Sequence, residues 1–235
     1  MRALHAAIEQ DSLMRHWLAQ KPGIVHPPAQ WPRELAQRLD AFASEGCIIT
    51  VQRLSTEYAQ VAMVSAQHEE RHFTATASAA GFSFTDAVNS AIDKLEARIH
   101  AWMRGYRPPI KLAAQAETAE HHFGLYGLKR HFRRADRMLF PSGEVTGTPW
   151  PTAEANYSLD LLLGRFSGQG LCPVAIDITP RHSLVDQGRT QLTVAKALVP
   201  GLLPVSFGHQ REPLGMVPRN HPGAKFPHPF SEFRT

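Results

Sequence analysis

The stretch LDLLLGRFSGQGLCPVAIDIT, residues 159–179, has a counterpart far upstream in LAQRLDAFASEGCIITVQRL, residues 35–54. At one offset of 124 positions, Leu35 falls on Leu159, Leu39 on Leu163, Phe42 on Phe166 and Gly46 on Gly170. Each unit reads as an amphipathic helix closed by F-x-x-x-G and followed at once by a strand, because apolar residues recur at helical spacing up to a glycine and β-branched residues follow it. Two such units predict an α/β chain of related helix-strand-strand halves, about 30–80 and 152–200, whose helices pack on a shared sheet.

Outward from these halves the periodicity fills in the remaining elements. Residues 2–19 place Leu4, Ala7, Ile8, Leu13, Trp17 and Leu18 on one side of a helix that KPGIVHPP stops. Pro32, well placed at a helix start, opens a second helix ending at Gly46. CIITVQRL and YAQVAMVSA read as strands, with HFTATAS as a third. A helix from about Thr85 to Met103, capped by Ser83 or Thr85, carries Val88, Ala91, Ile92, Leu95, Ile99 and Trp102 on its apolar side. A further helix is expected over Ala116–Arg137, and another over Thr152–Ser167. CPVAIDIT and QLTVAKALVP supply the strands of the second half, the body of the domain running over residues 1–215. Residues 216–235 differ in composition and read as a proline-rich, extended tail.

Composition narrows the function. A chain of 235 residues, 43% hydrophobic, can bury one sizeable core. Its net charge of +4 is mild, and KRHFRRADR (129–137) has no interleaved aromatic platform beyond Phe132, so it reads as a solvated helix face and no nucleic acid is expected. Cys47 and Cys172 lie far apart without partners at metal spacing, which fits a reducing, cytoplasmic setting. His5, Glu9 and Asp11 interrupt any signal-like apolar start, and the longest apolar run, ALVPGLLPV, is broken by two prolines, so no membrane span is expected.

The common phosphate-loop, dinucleotide, zinc-protease and serine-hydrolase signatures are absent. His121 and His122 are adjacent, so on a helix their side chains diverge and suit one surface and one core role better than a shared ion. Carboxylates on helices are the better lead, since magnesium bound to a nucleotide needs hard oxygen ligands. The first helix offers Glu9, with Asp11 turned away from it. The helix after Thr85 offers Asp93 and Glu96, three apart on one face.

Residues 170–215, GLCPVAIDITPRHSLVDQGRTQLTVAKALVPGLLPVSFGHQREPLG, make the pattern specific. Asp177-Ile178-Thr179 ends one strand, and Val199-Pro200-Gly201-Leu202, Pro204, Phe207 and Gly208 complete a V-P-G-L-x-P-x-x-F-G run. This resembles the closing region of YcaO-family proteins. AIEQDSLMRHW (7–17) is similar to the family's acidic nucleotide helix, ASAAGFSFTDAVNSAIDKLEAR (77–98) to its glycine-led loop and helix, AEHHFGLY (119–126) to a short D-H-x-x-x-Y element, and FPHPF (226–230) to the proline-rich ending of azoline-forming members.

The resemblance implies a YcaO-like fold that binds ATP and Mg2+ between acidic helices, with Glu9, Asp93 and Glu96 as ATP/Mg candidates, Glu9 as a Mg ligand, and Pro227 and Pro229 near the active site. The implied activity is cyclodehydratase chemistry. A Cys, Ser or Thr side chain of a ribosomally made precursor peptide attacks the preceding amide, the oxyanion is phosphorylated, and phosphate leaves to give a thiazoline or oxazoline. Implied partners are the precursor peptide, a leader-binding partner protein, a flavin dehydrogenase, and further copies or chains in a homo- or hetero-oligomer. Against the family pattern, Met1 stands on the second nucleotide segment, and Ala6 and Gln10 replace a glutamate and an arginine. Where a further glutamate is expected stands Lys94, with Ala87 and Ala91 aligned to the family's paired alanines, or Asp93, with the register slipped by one. Those departures bring in two alternatives: a non-catalytic homologue acting as a binding or scaffold partner, and YcaO-type thioamide or amidine formation.

Overall fold

A computed structural model describes residues 1–106, 109–110, 112–142, 148–151, 157–179, 194–209, 211 and 226–230. Its elements run in the order α1 (Arg2–Ala19), β1 (Ile24–His26), α2 (Arg33–Ser44), β2 (Cys47–Leu54), β3 (Gln60–His68), β4 (Phe73–Gly81), α3 (Phe84–Met103), α4 (Ala119–Leu125), α5 (Asp136–Leu139), α6 (Leu159–Gly168), β5 (Val174–Asp177) and β6 (Ala195–Leu198). The first four strands form an antiparallel sheet in the order β1-β2-β3-β4. No helix among the described residues is long and apolar enough to cross a membrane.

The sheet is covered on both faces, which is why β3 is buried from Val61 to His68. Strand alternation sends Ala62, Val64 and Ala66 of β3 and Ala75, Ala77 and Ala79 of β4 toward α2 and α3. These small residues let Ala87, Val88 and Ala91 of α3 come close to the strands. Val61 and Met63 point the other way, into a second core with Leu4, Ile8, Leu13 and Trp17 of α1 and with Leu162 and Phe166 of α6. Ser83 caps α3 by accepting the Asp86 N–H at 3.1 Å, while Thr85 accepts the Trp150 indole N–H at 3.0 Å. Gly46 closes α2 at φ 93°, a conformation that favours glycine.

Three expectations change. IVH within the stop signal after α1 is the short edge strand β1, paired with β2 and followed by the Trp31 indole donating to the His26 carbonyl at 2.8 Å. The helix expected over Ala116–Arg137 is broken into α4, a run of turns and α5. Tyr126 gives its carbonyl to the Thr74 N–H of β4 at 2.8 Å, and Gly127 sits against the Trp102 indole, where no side chain fits. A continuous helix would spend that carbonyl on its own ladder. Finally, β5 and β6 pair with each other in a sheet of their own, so the described residues hold two sheets where one shared sheet was expected.

The second helix of the sequence match also presents a different face. In α2, Leu35, Leu39 and Phe42 are all buried. In α6, Leu159 and Leu163 are 42% and 37% exposed, and Leu162 joins Phe166 in the core. Packing against α1 and Tyr58 decides which leucines turn inward; the Tyr58 and Phe166 rings stack at 4.7 Å.

Candidate functional site

Because β4 has β3 as its one sheet neighbour among the described residues, its other edge carries main-chain groups that need partners. Tyr126 O takes the Thr74 N–H, and α3 supplies donors for the next two carbonyls on that edge. Arg98, buried, donates to Thr76 O, and Lys94 donates to Ser78 O at 2.6 Å. Lys94 and Arg98 are one helical turn apart, so they reach carbonyls two residues apart on the strand.

Lys94 does more than cap an edge. Its ammonium also reaches both oxygens of Glu9 on α1, at 3.0 and 3.1 Å, and the Ser78 hydroxyl donates to Glu9 Oε1 at 2.6 Å. A single cation thus ties helices on opposite faces of the sheet together around the β4 edge. The Glu9 side chain is 16% exposed and that of Lys94 45%, so the carboxylate lies inside the junction and the lysine stem crosses to it from outside.

Asp93 and Glu96 share a face of α3, as their spacing requires, but not with Glu9. Both accept from the Arg38 guanidinium of α2, at 2.7 and 2.9 Å, and Asn89 accepts from the same group at 3.3 Å. Asp11 is buried and lies away from Glu9, as the helix period demands; it accepts the Leu203 N–H at 2.7 Å and pairs with Arg15. The structure therefore separates Glu9, Asp11 and the Asp93–Glu96 pair into three independently neutralised sites.

The described part of the tail docks elsewhere on the same helix. His122 donates from Nδ1 to the His228 carbonyl at 2.9 Å and accepts the Gly208 N–H on Nε2 at 2.9 Å, which defines its neutral tautomer. The Tyr126 hydroxyl donates to the Pro227 carbonyl at 2.8 Å, and His228 Nε2 to Ser206 O at 2.7 Å. Pro227 and Pro229 are buried, and the His228 and Phe230 rings lie 6.3 and 5.9 Å from the Trp17 ring. Trp17 is eight residues along α1 from Glu9, roughly 12 Å of helix. Burial lowers the His122 pKa to about 4 and, with the neighbouring His122 adding to it, that of His228 to about 3.

A family model described as YcaO cyclodehydratase, ATP- and Mg2+-binding, matches residues 1–203. The chain belongs to the YcaO family. No curated protein gives a sequence match. Among solved structures, the YcaO protein of Methanopyrus kandleri bound with AMPPCP and Mg2+ superposes with a TM-score of 0.61 at 15% identity, covering 89% of this chain and 55% of that one. The E. coli microcin synthetase McbBCD complex with pro-MccB17 bound gives 0.60 at 15% identity, covering 95% and 57%. A heterocyclase in complex with substrate and cofactor gives 0.65 at 15%, covering 86% and 26%. These likenesses establish the mixed α/β YcaO fold, and the chain spans a little over half of the first two structures.

The YcaO family is described as binding Mg2+. The donor set around Glu9 does not fit that ion as it stands. Magnesium asks for several oxygen ligands in octahedral array, whereas Glu9 already faces an ammonium. Among the described residues no three His, Cys, Asp or Glu side chains converge on one point. Sequence reasoning singled out Glu9 and Lys94 but not their contact, nor Ser78, Arg38 and His228. Only the D-H-x-x-x-Y element carried a usable signal, since its His122 and Tyr126 are the pair that hold the tail.

Proposed function

We propose that this chain acts in ATP-dependent cyclodehydration of Cys, Ser or Thr in a ribosomally made precursor peptide, as the YcaO component of a cytoplasmic assembly. A leader-binding partner protein would present the peptide, and a flavin dehydrogenase would oxidise azoline to azole where that step follows. The supporting observation is the ordered join between the V-P-G-L-x-P-x-x-F-G loop and the FPHPF tail. His122 bridges Gly208 of the loop to His228 of the tail, and Tyr126 holds Pro227, so the loop that resembles the family's closing region and the tail that resembles azoline-forming members are built into one core.

A second reading is favoured by the Lys94–Glu9 pair: the chain serves the same assembly as a non-catalytic binding or scaffold component, with its acidic helix neutralised internally. Incubation with precursor peptide, partner proteins and Mg-ATP separates the two. ADP release together with loss of one water per ring, followed by mass spectrometry, is expected for the first reading, and neither product with all partners present would overturn it. Calorimetric titration showing no Mg-ATP binding alongside retained peptide or partner binding is the outcome expected for the second.

A further inference from the structure

The Lys94 ammonium sits in a place where a cation is required for two separate reasons. The Ser78 carbonyl on the open β4 edge needs a donor, and the Glu9 carboxylate, mostly withdrawn from water, needs a positive partner. The same Nζ satisfies both, with Ser78 Oγ completing the shell of Glu9 Oε1. We propose that Lys94 is a tethered cation that takes the place of a divalent metal at Glu9, making the α1–β4–α3 junction metal-independent and closing this carboxylate to Mg2+.

A metal bound to Glu9 would stand within a few ångströms of the ammonium, in a partly buried setting where like charges are poorly screened. Moving the lysine aside would strand Ser78 O, since the next donor along the α3 stripe, Arg98, is already engaged with Thr76 O. Ala6, one turn before Glu9 on α1, adds no oxygen that could compensate. The lysine also links α1 and α3, which lie on opposite faces of the sheet, through non-covalent contacts to Glu9 and Ser78.

Mn2+ is the probe, with the full chain and the electron paramagnetic resonance signal of free ion as the readout. Wild type and Glu9→Gln are expected to leave the same free signal. The A6E/K94E variant, which removes the ammonium and adds carboxylates, is expected to bind Mn2+ tighter by at least about tenfold. Wild-type binding that Glu9→Gln abolishes would overturn the proposal, and so would a folded A6E/K94E that binds no better than wild type. Should that variant not fold, a double-mutant cycle of Glu9→Gln and Lys94→Gln in thermal melts replaces it; coupling between the two changes is expected, and additive losses would overturn the proposal. Ion binding and melting are read without ring formation, so a failure here is distinguishable from a failure of the cyclodehydration reading.

Discussion

Replacing Asp11 by alanine probes the join between α1 and the loop that carries the most specific part of the sequence. The buried Asp11 carboxylate accepts the Leu203 N–H at 2.7 Å and the Arg15 Nε–H at 2.9 and 2.8 Å. These contacts are unequal. The Arg15 side chain is 56% exposed, so its pair one turn away contributes at most about 0.5 kcal/mol. The Leu203 N–H is buried, and a main-chain donor stripped of a charged acceptor costs roughly 1.5–3 kcal/mol. Asp11→Ala should therefore lose about 2–3 kcal/mol, which for a chain of this size lowers Tm by about 4–12 °C. Asp11→Asn keeps an acceptor oxygen at the same position and should lose about 1 kcal/mol. Arg15→Ala should lose less than about 0.5 kcal/mol. Urea denaturation followed by circular dichroism ranks the three variants. Equal losses in Asp11→Ala and Arg15→Ala, or an Asp11→Ala midpoint indistinguishable from wild type, would refute the reasoning.

Acid should loosen the tail. His122 and His228 ionise in the unfolded chain near 6.5 but are held by burial to about 4 and about 3 in the native one. Between those values the unfolded state binds more protons, so stability is full above pH 6.5 and falls as pH drops toward 4, by up to about 1.4 kcal/mol per unit for each histidine. Burial lowers His5, His16 and His26 in the same direction, so His228→Phe should flatten the urea midpoint's pH dependence in part, and a flat wild-type profile from pH 8 to 5 would contradict the burial argument. Gly127→Ala places a Cβ inside the Trp102 ring, which is stacked on Phe73 at 5.9 Å and tilted against Phe123 at 4.7 Å and so has no room to retreat. A loss of about 3 kcal/mol or more is expected, partly recovered by adding Trp102→Leu; a Gly127→Ala variant melting with wild type would show that the 126–128 turn can shift.

Much of the framework follows from local pattern. The apolar spacing of residues 2–19 and 85–103 and the β-branched run of 47–54 each specify an element within a residue or two of its observed bounds, because amphipathic periodicity is a property of neighbours along the chain. The family is legible too, since the match to the YcaO model spans residues 1–203 and the resemblance is read from short contiguous motifs.

Contacts across the fold are a different matter. Lys94 and Glu9 are 85 residues apart in the chain, and nothing in either helix says that they meet around the edge of β4. Asp93 and Glu96 looked equally suited to metal; Arg38, brought alongside by the packing of α2, claims them both. The 116–137 helix fails because Tyr126 is needed at the same β4 edge, and α6 turns Leu162 inward where the match to α2 favoured Leu159 and Leu163. Periodicity determines which residues can share a face, from one turn to the next. Which face is buried, and which charge finds which partner, is decided only when the sheet, with its open edge and two covered faces, brings distant segments to the same point.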